Sequence, residues 1–299
     1  MSAPDADLFL IDAIREGDPT AWRQIIERYQ GRLIAFARRR LAQSSEAEDL
    51  VQEAFLGLLR SLPTYDRERS LETYLFAILR NKIADFLDRQ QKGQRQSLDQ
   101  LELDDAPAAW VQRDTPSKAL DRQEGLAAQR GALVKCLRSW VERCCDESRF
   151  QELMIVEMLV VLGLRNKEVA ADLNLTETGV AGIKFRVLSQ WTRLTQPENV
   201  QHDWSDADLA RESSLGQIWR NEGISCPKRS TLGRYLLDAL EPDWRGFVDF
   251  HVTTAACERC CANIDDLRTE DLADREMTER FREKCFASSI GFLSRPGAS

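Results

Sequence analysis

Residues Ser45 to Arg89 constrain this chain most, because they read as two successive amphipathic helices with contrasting outer faces. In the first, Leu50, Val51, Ala54, Phe55, Leu58 and Leu59 recur at helical period and form one apolar stripe. Ser45 and Glu48 stand at capping-box spacing at its start, where two orphan backbone donors can be satisfied reciprocally. Its other side carries Asp49, Gln52, Glu53 and Arg60. In the second helix Ser70 is the expected N-cap, and Leu71, Leu75, Ile78, Leu79, Ile83, Phe86 and Leu87 point inward. Thr73, Arg80, Asn81, Lys82 and Arg89 are left on its outer side. One helix thus offers acids and amides, and the next offers cations and an amide.

Helical periodicity extends over most of the chain. Period-two alternation is rare, and Gly and Pro fall between periodic segments, so an all-α fold is expected. With 299 residues the chain can hold two or three domains, each with its own core. A net charge of -8 argues against a uniformly basic nucleic-acid coat but leaves local basic faces open. There is no apolar run long enough for a membrane span and no cationic, apolar leader at the N-terminus, so a cytoplasmic location without membrane contact is expected. In that setting eight cysteines point to metal or redox chemistry before disulfides.

Between Lys92 and Ser117 the periodicity dissolves around two prolines and an acidic centre of Asp99, Glu102, Asp104 and Asp105, which reads as an extended linker. Helicity resumes near Ala119. Further on, Val169, Ala170, Leu173 and Leu175 supply a short apolar helix, followed by a tight turn over residues 174–176. Thr176 can cap the next helix, with Glu177 favourable at its positive end and Val180, Ile183, Val187, Leu188 and Trp191 buried. This is helix-turn-helix spacing, whose second helix would present Thr178, Ala181, Lys184 and Arg186 to a DNA groove, with Lys167 reaching phosphate from the first. A helical hairpin packed for its own sake has the same pattern.

Beyond a polar stretch containing His202, one constellation stands out: Cys226, His251, Cys257 and Cys260. Three thiolates and one imidazole make a closed tetrahedral zinc set, and Cys257 and Cys260 form the C-x-x-C chelate. Cys261 is an alternative to Cys260. Buried, unmetallated cysteines would fit the composition as well. Cys136, Cys144, Cys145 and Cys285 show no ligand spacing. With two histidines there is no nucleophile–base pair to assign, and the glycines form no phosphate-binding loop, so an enzyme is not expected.

The runs AEDLVQEAF and YLFAILRN resemble the acidic and the "W-L-x-x-I-A-R-N" helices of bacterial extracytoplasmic-function sigma factors, with Tyr74 where the family usually has Trp. The resemblance begins near Asp7. It implies that residues 1–91 bind core RNA polymerase and melt the -10 promoter element, that 92–117 are a linker, and that 118–196 bind the -35 element. Polymerase contacts would fall on Asp49, Leu50, Gln52 and Glu53. Promoter contacts would come from Tyr74 by base stacking, from Arg80, Asn81, Lys82 and Arg89, and from Lys167, Thr178, Lys184 and Arg186 in the second domain. After a short linker over 197–208, residues 209–299 resemble zinc-binding anti-sigma domains, although five residues rather than three separate His251 from Cys257. That likeness implies a small helical regulatory domain making intramolecular contact with the sigma-type domains. A zinc- or thiol-based redox scaffold without promoter activity is the other class the cysteines allow.

Overall fold

The computed structural model describes residues 3–98, 116–195, 214–270 and 275–293. Among them every regular element is helical and there is no strand, as the periodicity requires. Of the linker expected at 92–117, residues 99–115 lie outside the described residues, as does the whole linker expected at 197–208 with His202. The chain separates into two compact units, 1–103 with 258–299 and 104–257.

The first unit contains α1 (Ala3–Arg15), α2 (Pro19–Arg38), α3 (Ser44–Ser61), α4 (Leu71–Leu98), α12 (Glu258–Glu270) and α13 (Arg275–Leu293). Asp18 starts α2 by accepting a hydrogen bond from the Thr20 amide at 2.7 Å, ahead of a favourable first-turn Pro19. α2 is the central helix and packs against each of the others. Its Trp22 meets Phe55 of α3 edge to face at 5.9 Å, and Phe36 meets Phe76 of α4 at 5.0 Å. Phe281 and Cys285 of α13 and Ala262 of α12 complete this same core. Full burial of each large apolar side chain contributes roughly 1.5–3 kcal/mol.

Two local expectations change and one holds. α3 begins at Ser44 after Gln43, with no side-chain cap, so Ser45 and Glu48 form no capping box; Glu48 instead lies 3.6 Å from Arg38. α4 continues to Leu98, past the loss of apolar periodicity at Lys92. Ser70 does cap α4, its hydroxyl accepting from the Thr73 amide at 3.3 Å.

The second unit contains α5 (Pro116–Asp146), α6 (Phe150–Val160), α7 (Asn166–Asp172), α8 (Glu177–Thr195), α9 (Ser214–Glu222), α10 (Arg229–Leu236) and α11 (Pro242–Asp249), which runs into a π-helical turn at Phe250–Thr254. Trp140 of α5, Trp191 of α8 and Trp219 of α9 cluster with ring centroids 5.5 to 6.4 Å apart. Phe150 of α6 stacks on Phe247 of α11 at 5.6 Å. Arg130 of α5 pairs with buried Glu222 at 2.9 Å. The stretch expected to be one domain over 209–299 is therefore divided. Its first half shares a core with α5–α8, and its last two helices share a core with α1–α4. The physical reason is that α9 and α11 are too short to enclose Trp219 and Phe247 by themselves, and α6 and α8 supply the missing walls.

Candidate functional site

In the first unit, the acidic side of α3 and the outer side of α4 are populated by partners. Asp49 accepts a hydrogen bond from Lys284 of α13 at 3.1 Å. Glu53 pairs with Lys82 at 3.0 Å, so a residue from each of the two expected faces meets the other. Gln52 is half-buried. Leu50, expected among the polymerase contacts, is only 3% exposed, because it falls on the same stripe as Val51 and Ala54.

On α4, Asn81 and Arg89 are exposed and Arg80 and Lys82 are half-buried; Arg89 Nε donates to the Asp85 carbonyl at 3.0 Å. Tyr74 is half-buried, its ring edge to face with Tyr65 at 5.1 Å. Thr73, expected on the outside, is 1% exposed. Arg259 of α12 explains this: it donates to Thr73 Oγ1 at 3.0 Å and to Glu72 Oε2 at 2.7 Å. Arg32 of α2 reaches the other Glu72 oxygen at 3.0 Å, and Asn263 adds a bond at 3.2 Å. Burial alone would raise the Glu72 pKa, but Arg259 and Arg32 outweigh it and hold the carboxyl at about 2.

α12 comes close to α2 at Gly31, where an added Cβ would run into the Asp266 carboxylate. Arg39 of the α2 terminus holds Asp265 with two hydrogen bonds, at 2.9 and 2.6 Å. Arg23 and Glu27 of α2 pair with Glu283 and Arg282 of α13 at 3.0 and 2.7 Å.

In the second unit, Asn174 takes a left-handed φ of 52° in the turn between α7 and α8. Thr176 Oγ1 then accepts from the Gly179 amide at 3.1 Å and caps α8. Lys167, Thr178 and Arg186 are exposed; Ala181 and Lys184 are half-buried. Arg186 lies 3.7 Å from Glu152 of α6. Phe185, absent from the expected contacts, is 71% exposed on α8. Gly182, one turn before it, faces open space.

The Cys/His constellation assembles. One potential ligand atom from each of Cys226, His251, Cys257 and Cys260 lies within 4.8 Å of all the others, a group that could hold a metal ion. Cys261 is not part of it. Cys226 Sγ and Cys257 Sγ are 3.6 Å apart. Two thiolates on a tetrahedral zinc at ~2.3 Å would sit about 3.8 Å apart, so the spacing fits. The π turn explains why the long His251–Cys257 interval still works. It carries His251, and Ala256 with a left-handed φ of 47° then turns the chain so that the Cys257 amide bonds the His251 carbonyl at 3.1 Å.

His251 is buried, with Nδ1 2.9 and 3.0 Å from the two carboxylate oxygens of buried Glu157 on α6. Its Nε2 is buried without a hydrogen-bond partner, which leaves that atom for a metal. Burial opposes a charged imidazole, yet Glu157 and the neighbouring cysteines hold its pKa well above the ordinary value. Neither Glu157 nor the Arg259–Glu72–Arg32 triad was expected from the sequence. An apolar α6 interrupted only by Gln151, Glu152 and Glu157 was the available signal.

The family "Sigma-70 region 2" matches residues 25–93, covering most of α2, all of α3 and most of α4. The chain is 27% identical over 172 residues to the "Probable RNA polymerase sigma factor" of Haemophilus influenzae, covering 55% of this chain and 84% of that protein. It is 24% identical over 197 residues to the "ECF RNA polymerase sigma-E factor" of Escherichia coli K12, covering 66% and 98%. Over 75 residues it is 31% identical to the "ECF RNA polymerase sigma factor SigW" of Bacillus subtilis, covering 25% and 40%. No solved structure matches the chain. The chain is thus similar to RNA polymerase sigma factors over as many as 197 residues, with the region 2 match at 25–93.

Proposed function

We propose that this chain is an extracytoplasmic-function sigma factor that directs RNA polymerase to specific promoters and is regulated in cis by its C-terminal extension. The match of region 2 to residues 25–93 carries the first half of this reading. Core polymerase binds the side of α3 that carries Asp49, Gln52 and Glu53. The -10 element is engaged from α4 by Tyr74, Arg80, Asn81, Lys82 and Arg89, through base stacking and phosphate contacts. Lys167, Thr178, Lys184 and Arg186 meet the -35 element from α7 and α8.

Support for regulation in cis comes from the first unit, where Lys284 occupies Asp49 and Arg259 occupies Glu72 and Thr73. In this reading α12 and α13 cover surface needed by polymerase or promoter until they are released. Tethering lets even a weak contact hold, since a short flexible linker gives effective concentrations on the order of mM. Zinc is the metal proposed for Cys226, His251, Cys257 and Cys260, on the strength of the thiolate-rich donor set and its spacing.

Run-off transcription with core polymerase on a genomic promoter library tests this, comparing the full chain with a form ending after Gln196. More promoter-specific transcript from the shorter form is expected. Less from a shorter form that keeps its helical content would reverse the sign of the extension's role, and none from either form would sink the sigma reading. A redox scaffold without promoter activity then becomes the better account, because the thiol cluster is independent of polymerase.

A further inference from the structure

Glu157 is separated from His251 by 94 positions in sequence and lies on α6, the helix against which α5, α7, α8, α9 and α11 all pack. It is 1% exposed, and both carboxylate oxygens are spent on a single imidazole nitrogen. A buried carboxylate is costly unless it is paired and hydrogen-bonded, so its presence in an otherwise apolar stretch needs a reason. The reason is on the far side of the ring. With Nδ1–H directed at Glu157, the Nε2 lone pair has no hydrogen-bond donor and belongs to the cluster of Cys226, Cys257 and Cys260.

We propose that Glu157 is the positioning residue of this metal centre, and that it joins the centre to the core helix supporting α7 and α8. The inference rests on the zinc reading above and goes beyond it. An imidazole that hands its second N–H to a carboxylate is fixed in tautomer and ring orientation and becomes a better ligand. Because that carboxylate is on α6, loading the centre rigidifies the helix beneath the α7–α8 pair as well as the extension that supplies the ligands. A metal-binding extension with only its own ligands would leave α6 unaffected.

The test uses the full chain and its Glu157→Gln variant, titrated with zinc against a chromophoric chelator, with metal content measured on both. A 10- to 100-fold loss of zinc affinity is expected in the variant. Hydrogen exchange should show the α6 amides gaining protection with zinc in the parent and losing that gain in Glu157→Gln. A purely structural carboxylate predicts otherwise: a lower metal-free unfolding temperature with zinc affinity unchanged, and that result overturns the proposal. If Glu157→Gln does not fold, Glu157→Asp is read instead; it keeps the charge but withdraws the carboxylate by one methylene, and a smaller loss of affinity is expected, with parental affinity again overturning the proposal. A parent chain that binds no zinc at all removes the zinc reading itself, which is distinguishable because no variant is needed to see it.

Discussion

The indole N–H of Trp22 donates to Ser289 Oγ at 2.6 Å, and both residues are buried, one in α2 and the other in α13. The hydroxyl in turn donates to the Cys285 carbonyl one helical turn back, so every polar atom of the contact is satisfied. Ser289 lies on α13 one turn past Cys285, which joins the core of the first unit together with Phe281. Ser289→Ala would strand the indole donor, which costs about 1–3 kcal/mol. Urea unfolding monitored at the first unit should show that loss, and limited proteolysis should cut within α13 sooner than in the parent.

Acid should loosen α12 through Glu72. Its carboxyl is held at about 2, below the ordinary 4.5, by Arg259 and Arg32 acting against burial. A group with a depressed folded pKa contributes stability that is fully present above its unfolded value and is lost as pH falls through its folded value. The contribution should therefore hold at neutral pH and decline between about 4.5 and about 2. It amounts to on the order of 3 kcal/mol at most. Other carboxylates titrate in the same range, so the measurement is the difference between the parent and Glu72→Gln. Their stabilities should converge as the pH drops; a constant gap from neutral pH down to 3 would refute the assignment.

How much of this was legible in the sequence depended on chain distance. The apolar stripes of α3 and α4, and the caps at Ser70 and Thr176, are decided by residues within a turn of each other, and they appear as the periodicity and capping rules require. Thr73 is different: its burial comes from Arg259, which is 186 positions away, and no local pattern signals it. His251 needed Glu157 and a π turn to reach the thiols, and neither leaves a periodic trace. The division of the extension between two cores was hidden for the same reason. Short amphipathic helices state that they must be covered, but not by which partner.

Gly31 lies inside α2, against the expectation that glycines fall between the helices. A glycine inside an exposed helix costs about 1 kcal/mol relative to alanine, so Gly31→Ala would ordinarily stabilise α2. Here the new Cβ would meet the Asp266 carboxylate of α12. The expected result is a smaller gain or a net loss in thermal stability for Gly31→Ala in the full chain. Adding Asp266→Ala should restore the helix-propensity gain, and the non-additivity of the double-mutant cycle measures the coupling. Strict additivity would mean that α12 does not press on α2 at this point.

Thiol reactivity separates the cluster from the other cysteines. Burial pushes the Cys144 and Cys285 thiols up to about 12, so in the folded chain they are protonated and shielded whether or not metal is present. Cys226 and Cys257 are half-buried, and on the zinc reading a bound ion protects them. Alkylation of the zinc-loaded chain should spare both groups. Chelation should expose Cys226 and Cys257 to reagent while Cys144 and Cys285 stay protected until the chain unfolds. Cys260→Ser should release the metal at lower chelator concentration, and Cys261→Ser should not, because only the former residue lies in the ligand set. Equal effects of the two substitutions would mean that the C-terminal ligand was misassigned.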